Sequence, residues 1–517
     1  MKGKGLALLA PLVLACGCTE KVDQPERTQS LHVIITDVNG APYDPNAPAL
    51  PLPAGEVELG FIVEALRADG TRDTGFNGFA RVSAIPGSVV QIGGPCASGR
   101  NVLLLNGVAE CPPAPPGPHY ARVRNARGAT RLWVEDVGYI PVDPGAPPRC
   151  ANGVDDDGDG LVDFPEDPGC AFANDDTEGG GSYAAGVSGP VNFELPRLGD
   201  VQGRGATSPY ELESVEVKTD APAELIVTRI AADGFYATDV TDTLGYNHVF
   251  AFTFSTPPFL RVCDRITKLT GTAVEFFGFT ELSFPAFERH AWRFPTPNGP
   301  GDGPCRVPEP TPITPDAAED PALMEKIESA LVRVEGATVG AFFGPNNPEI
   351  MLANGQSDCA VPPPIQFSDT ASNCDLDGSG FIDFDTKGSC EAACANACGT
   401  EPNCVEWTGY VSRGNYRVLL PGPKSIQINT RSVVGFDPQA MRGKPIVSLT
   451  GTLRNFSGGA LNWTIEARCG DDLVCVDNEP DEKKKQKACT EGPKTPVSSQ
   501  IACVSPRTTD DPNEGTN

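Results

Sequence analysis

The sequence predicts a mainly β chain: a two-sheet β-sandwich followed by two β-barrels, joined and interrupted by acidic loops that cystines close. Three observations lead there. Short runs of β-branched and aromatic residues recur between Gly-containing turns from residue 31 to about 470. Two distant segments echo each other: Thr270-Gly271-Thr272-Ala273 with Glu275-Phe276-Phe277-Gly278, and Thr450-Gly451-Thr452-Leu453 with Asn455-Phe456-Ser457-Gly458. That echo points to an internal duplication. Eighteen cysteines stand beside only four histidines (His32, His119, His248 and His290), none near another, so the cysteines read as the disulfide framework of an exported chain rather than as zinc ligands.

The chain is long enough for several domains at 517 residues, and its 39% hydrophobic content suffices for cores. A net charge of −28 argues against nucleic acid or another polyanion as main partner and suits a surface that collects divalent cations. At the N-terminus, Lys2 and Lys4 precede an apolar run from Leu6 to Ala15, a length suited to a signal peptide and too short to span a bilayer. The run ends Leu12-Val13-Leu14-Ala15-Cys16, which resembles a bacterial lipobox. The resemblance implies lipidation at Cys16. Cys18 is the alternative, because sixteen cysteines would then remain to pair. Neither cysteine is followed by Asp, so the resemblance implies an outer-membrane anchor, facing the periplasm or the cell surface, with lipid as the only membrane attachment. Residues 1–18 are thus expected to be signal and anchor, and 19–30 a polar tether.

Residues 31–145 carry the runs Leu31–Ile35, Val57–Ala65, Val102–Leu105 and Thr130–Val134, with turns at Asp69-Gly70 and Asn106-Gly107. This pattern suggests a sandwich of the immunoglobulin-like kind. Cys96 and Cys111 are expected to pair across the second turn. His119, in a Pro-rich stretch, reads as a surface residue.

The segment from Cys150 to Cys170 has the spacing of a twelve-residue calcium loop. Asp155, Asp157 and Asp159 occupy positions one, three and five, Gly160 six, Leu161 seven (a backbone carbonyl ligand), Val162 eight, Asp163 nine and Glu166 twelve. Alternating carboxylates in a tight turn can point at one centre, and glycine at six permits the positive φ of that turn. Pro165 and Pro168 stand where an exiting helix would run, so a helix–loop–helix hand is disfavoured. The loop resembles the free-standing DxDxDG loops of thrombospondin type 3 repeats, where cystines close the loop, and Cys150 and Cys170 bracket this one. A second copy, with Asp375, Asp377, Ser379, Gly380, Phe381, Ile382 and Asp383 between Cys374 and Cys390, has Thr386 at position twelve, with Asp385 as candidate substitute. The expected cofactor is Ca2+. A Gly-rich linker, 171–190, follows the first loop, and calcium is expected to stiffen the joint between sandwich and barrels.

From residue 191 to 298 the chain reads Gly234-Phe235-Tyr236-Ala237-Thr238-Asp239, then Val262-Cys263-Asp264-Arg265-Ile266, then Thr270-Gly271-Thr272 through Glu275-Phe276-Phe277-Gly278-Phe279-Thr280-Glu281-Leu282. This order resembles the OB-fold modules found beside secreted bacterial nucleases, and implies a five-stranded Greek-key barrel. Cys263 stands where that family usually has glycine, so a disulfide, to Cys305, is expected to pin the turn. Alternation puts Phe235, Phe250 and Phe252 on one face, with Tyr236, Phe276, Phe277 and Phe279 nearby. A Pro-rich linker (299–325) leads, through a short helix with Leu323, Ile327 and Leu331 on one face, to a second OB-fold-like barrel at 326–470. A Cys-rich insertion at 358–404 interrupts it and carries the second acidic loop. Residues 471–517 form a Cys-containing, partly disordered tail.

No segment supplies a catalytic constellation: GxSxG, HExxH and Walker motifs are absent, and no His stands beside a ligand cluster. The sequence therefore predicts a non-catalytic, calcium-binding, lipid-anchored surface protein that acts as an adhesion, scaffold or binding module toward a protein or polysaccharide. The alternative is an accessory OB-fold protein of extracellular nucleic-acid degradation that binds single strands without cleaving them. Nucleic acid fits poorly, because residues 199–298 hold 13 acidic and 8 basic groups, a net of −5.

Overall fold

The computed structural model describes residues 30–109, 119–138, 147–175, 178, 183–295, 297–340, 413–422, 424–438, 440–441, 443–456, 461–476 and 486–489. The chain divides into two compact units, Met1–Glu194 and Leu195–Asn517. The described residues are mainly β, as the recurrent short apolar runs imply.

Seven main strands build the first unit: β1 (Ser30–Val38), β2 (Val57–Leu66), β3 (Gly78–Ile85), β4 (Ser88–Gly93), β5 (Asn101–Leu104), β6 (His119–Arg124) and β7 (Ala129–Asp136). One sheet has the order β1-β2-β6-β4, the other β7-β3-β5, with two-residue strands on their edges. Alternation along each strand turns one side inward, as in β7, where Thr130, Leu132 and Val134 are buried. Inward residues of both sheets, among them Val33, Leu59, Phe61, Val82, Leu104, Val123 and Leu132, make one core.

Residues 183–194, read from sequence as linker and barrel start, belong to this unit. Gly186–Val187 and Val191–Asn192 both pair antiparallel with β7, and Tyr183, Val191 and Phe193 fill the core. Three apolar side chains within eleven residues outweigh the local glycine content. The acidic loop is therefore an excursion of the first unit that departs after β7 and returns to the same strand. It belongs to the first unit and not to a linker between the units, so stiffening by calcium would act within the first unit.

Each barrel of the second unit has five strands. The first uses β8 (Leu225–Ile230), β9 (Gly234–Asp239), β10 (His248–Phe252), β11 (Arg265–Glu275) and β12 (Thr280–His290). The second uses β13 (Leu331–Val339), β14 (Asn415–Leu419), β15 (Ser425–Asn429), β16 (Pro445–Phe456) and β17 (Leu461–Glu466). In both, the first strand pairs with the second and fourth, the third pairs parallel with the fifth, and the fifth pairs with the fourth, so the sheet closes. The identical connectivity makes the second barrel a structural repeat of the first. The long fourth strand has to bend to reach two neighbours, and the echoed glycines sit on it. A Cβ on Gly271 would meet Leu282 Cβ at 3.0 Å, and one on Gly451 would meet the Glu466 carbonyl oxygen at 2.5 Å.

Two short helices flank the first barrel: α1 (Leu198–Gln202) before it and α2 (Pro321–Lys326) after it. Asp320 caps α2 by accepting from Ala322 N at 2.9 Å and Leu323 N at 3.2 Å. The helix is shorter than the sequence implied and turned by one residue: Met324 is fully buried and Leu323 is 47% exposed.

The barrels pack on each other through a polar and aromatic interface. Arg229 on β8 meets Glu466 of β17 at 2.6 Å, and its guanidinium lies 5.5 Å from the Tyr236 ring. Arg454 on β16 stacks over Phe250 at 5.2 Å and Phe279 at 5.1 Å. Arg468 donates to the Thr228 carbonyl at 3.3 Å and is itself fixed by Asp472 at 2.8 Å.

Candidate metal centre

The loop between Cys150 and Cys170 is shaped by its own carboxylates. The Asp155 side chain accepts from Gly158 N at 2.6 Å and Gly160 N at 3.0 Å, Asp157 from Asp159 N at 3.0 Å, and Asp159 from Leu161 N at 2.8 Å. Such nested Asx turns are what closely spaced aspartates favour. Gly160 has φ +97°, and a Cβ there would touch nothing within 4 Å, so the position needs glycine for its backbone angle and not for space. As a result Asp155, Asp157 and Asp159 each place an oxygen within 4.8 Å of the others.

The other predicted ligands do different work. Asp163 adopts φ +56° and accepts from Asn152 N at 3.0 Å and Gly153 N at 2.7 Å, which closes the base of the loop. Glu166 is exposed and lies outside the converging group. The Leu161 side chain is exposed. Cys150 and Cys170 are bonded, with their Cα atoms 5.7 Å apart. Asp375, Asp377, Ser379, Phe381 and Asp383, with Cys374 and Cys390, lie outside the described residues, as do Cys16, Cys18 and Cys111. Cys96 is disulfide-bonded.

Sequence reasoning missed Glu178. Its carboxylate is buried beneath the loop, accepting from the backbone N–H of Asp156 and from that of Asp163 at 3.1 Å. The only signal was an acid just before a glycine run, which reads as a solvated joint. Glu178 also lies near Asp167 and Cys170, but Cys170 is spent in the disulfide, so that trio offers no thiolate.

Three of the histidines have partners of their own. His119 is buried, not on the surface: it opens β6, its Nε2 accepts from Cys96 N at 3.3 Å, and burial pushes its pKa down. His290 pairs with Asp302 at 3.1 Å. His248 is buried in the first barrel with Nδ1 2.8 Å from Thr238 Oγ1, and burial lowers its pKa to about 4. In the unfolded chain it titrates near about 6.5. As pH falls from there toward 4, the unfolded state takes up a proton that the fold refuses, so stability falls, by up to about 3 kcal/mol. Urea midpoints recorded from pH 7 to pH 4 check this: the unaltered chain should lose that much more than His248→Gln does.

The aromatic face of the first barrel also differs from simple alternation. β9 and β10 pair Phe235 with Ala251 and Tyr236 with Phe250. Directly paired residues share a face, so Phe235 turns into the barrel core while Tyr236, Phe250 and Phe252 turn outward. Tyr236, Phe250 and Phe279 are nonetheless fully buried, because Arg229 and Arg454 and their neighbours in the second barrel cover them. Cys263 is bonded to Cys305 and has φ +80°, an angle that favours glycine. Among the described residues, no helix is long and apolar enough to cross a membrane. In comparisons with known proteins, no family model, curated protein or solved structure matches the chain.

Proposed function

We propose that this chain is a non-catalytic, calcium-binding scaffold or binding module, lipid-anchored through Cys16 at a bacterial outer membrane and directed at a protein or polysaccharide. The observation that carries the reading is the convergence of the Asp155, Asp157 and Asp159 carboxylates inside a cystine-closed turn. The donor chemistry fits a hard cation, being all oxygen with neither imidazole nor thiolate among the converging atoms. Those three side chains, with the Leu161 carbonyl, would hold the ion; bound calcium would neutralise the repulsion among three carboxylates packed into one turn. In this reading the first unit is an immunoglobulin-like sandwich and the two barrels are OB-folds.

The single-strand alternative loses support from the packing of the barrels. OB-folds use the face of their second and third strands for oligonucleotides, and in the first barrel the second barrel lies on the aromatic part of that face. The residues 199–298 are net acidic besides.

Titration calorimetry of calcium into the EDTA-stripped protein tests the reading. Heat from the loop site should vanish in Asp157→Ala/Asp159→Ala. EDTA should also speed proteolysis near residues 150–190 by a protease of broad specificity, since this stretch holds neither Lys nor Arg, and the double variant should be cut fast with or without calcium. An unaltered isotherm in the variant would reduce the loop to a disulfide-closed linker.

A further inference from the structure

We propose that the second unit holds a cation site of its own, for calcium, at the junction of the two barrels, built from Glu275, Glu328 and the side-chain carbonyl of Gln202. It stands independently of the acidic loop. Gln202 ends α1, Glu275 ends β11, and Glu328 lies between α2 and β13. The Gln202 amide Nε2 donates to Glu328 Oε1 at 2.6 Å, and Thr280 N donates to the same oxygen at 3.0 Å. Thr280 Oγ1 donates to Glu275 Oε1 at 2.8 Å. Ser208 N also donates to Glu275 Oε1, at 2.5 Å. Thr280 thus bonds both carboxylates, and the hydrogen bonds the two receive all fall on their Oε1 atoms.

What remains is a surplus of acceptors. Glu275 Oε2, Glu328 Oε2 and Gln202 Oε1 are all buried with no hydrogen-bond donor, and the Gln202 and Glu328 side chains belong to residues 1% exposed. Turning the Gln202 amide over does not help, because it would set its oxygen against Glu328 Oε1. Among the described residues no Lys, Arg or His pairs with Glu275, Glu328 or the neighbouring Glu325. Buried acceptors left without donors cost stability, and buried charges left unpaired cost more. Two carboxylates and an amide oxygen, with no nitrogen or sulfur, match a hard divalent ion. Calcium is favoured over magnesium because it accepts irregular geometry and completes six to eight ligands with water. A cavity of about 440 Å3, lined by Glu325, Arg204, Asn455, Tyr246 and Trp463, reaches the cluster through Glu325, the acid whose charge bears on Glu328. The Asn455 Oδ1 in that lining is a further buried acceptor without a donor.

Such an ion would tie α1 and the first barrel to the segment that enters the second. The test uses full-length protein carrying Asp157→Ala/Asp159→Ala throughout, so that the first loop contributes nothing and failure here leaves the loop reading untouched. Calcium binding is counted by titration, and terbium is used as a luminescent stand-in excited through tryptophan. Adding Glu275→Gln/Glu328→Gln should remove one calcium equivalent, and Trp463→Phe should lower calcium-displaceable terbium emission while leaving the calcium count unchanged. Glu275→Gln alone, at the least buried of the three residues, serves if the double change does not fold, and should weaken the same equivalent. An unchanged calcium count and unchanged terbium emission in the Glu275 and Glu328 variants would overturn the proposal. So would a gain in urea midpoint in those variants equal with and without calcium, since calcium would then do nothing to relieve the pair.

Discussion

Replacing Glu466 by alanine should destabilise the second unit by about 3 kcal/mol, read as a lower urea midpoint for its tryptophan fluorescence. Glu466 is the counter-ion of two guanidiniums, Arg229 at 2.6 Å and Arg454 at 3.9 Å. The Arg229 side chain is 7% exposed, so without Glu466 its charge stays in the barrel interface, where only the Tyr236 ring and polar oxygens face it. Breaking a buried pair from one side costs about 3–5 kcal/mol. The lower end applies because Glu466 is itself 18% exposed and water can partly replace it. Changing Arg229 and Glu466 together to Met and Leu should cost less than the single change, because the penalty comes from the orphaned Arg229 charge and not from loss of the pair, while Arg454 keeps Asp233 and Glu281 near it. Equal losses in the single and the double variant would mean that packing, not charge, decides this interface.

Removing the Cys263–Cys305 bond, by serine at both positions, should cost about 4 kcal/mol in the chain-entropy account for a closed loop of this size. The bond spans 42 residues. Its surroundings are otherwise well held: Asp264, fully buried, accepts from Trp292 N at 2.9 Å and Arg261 N at 3.0 Å, and Trp292, Val307 and Leu331 pack around the sulfurs. The fold should therefore survive reduction with a lower urea midpoint. A Cys263→Gly/Cys305→Ser variant should recover part of the loss, because glycine relieves the positive φ of position 263. No recovery would show that the backbone angle there is set by the bond alone.

Much of the β architecture was legible because strands announce themselves locally. Val57–Leu66 alternates and β-branched residues crowd Leu331–Val339. The repeated Thr-Gly-Thr was legible for a physical reason that only the structure supplies: the fourth strand of each barrel bends between two partners, and its glycine lets another backbone come close. In the acidic loop, the spacing located Asp155, Asp157 and Asp159, since three aspartates in alternate positions of one turn have few other arrangements. It failed at Glu166 and Glu178, because position twelve presupposes an exiting helix, and this loop instead meets a buried acid supplied twelve residues later. It failed also at Phe235 against Tyr236, where register, not alternation, decides which ring faces out. The barrel interface was beyond reach for the same reason: Arg229 and Glu466 are 237 residues apart, and neither carries a local signature.

The excursion that the first unit makes after β7 before coming back to the same strand also determines what a protease could achieve there. A cut between Cys150 and Cys170 leaves the two ends covalently joined, while Val191–Asn192 stays paired with β7. The nicked chain would migrate as one band until a thiol is added, and a protease could break the continuity of this loop without releasing either part of the first unit.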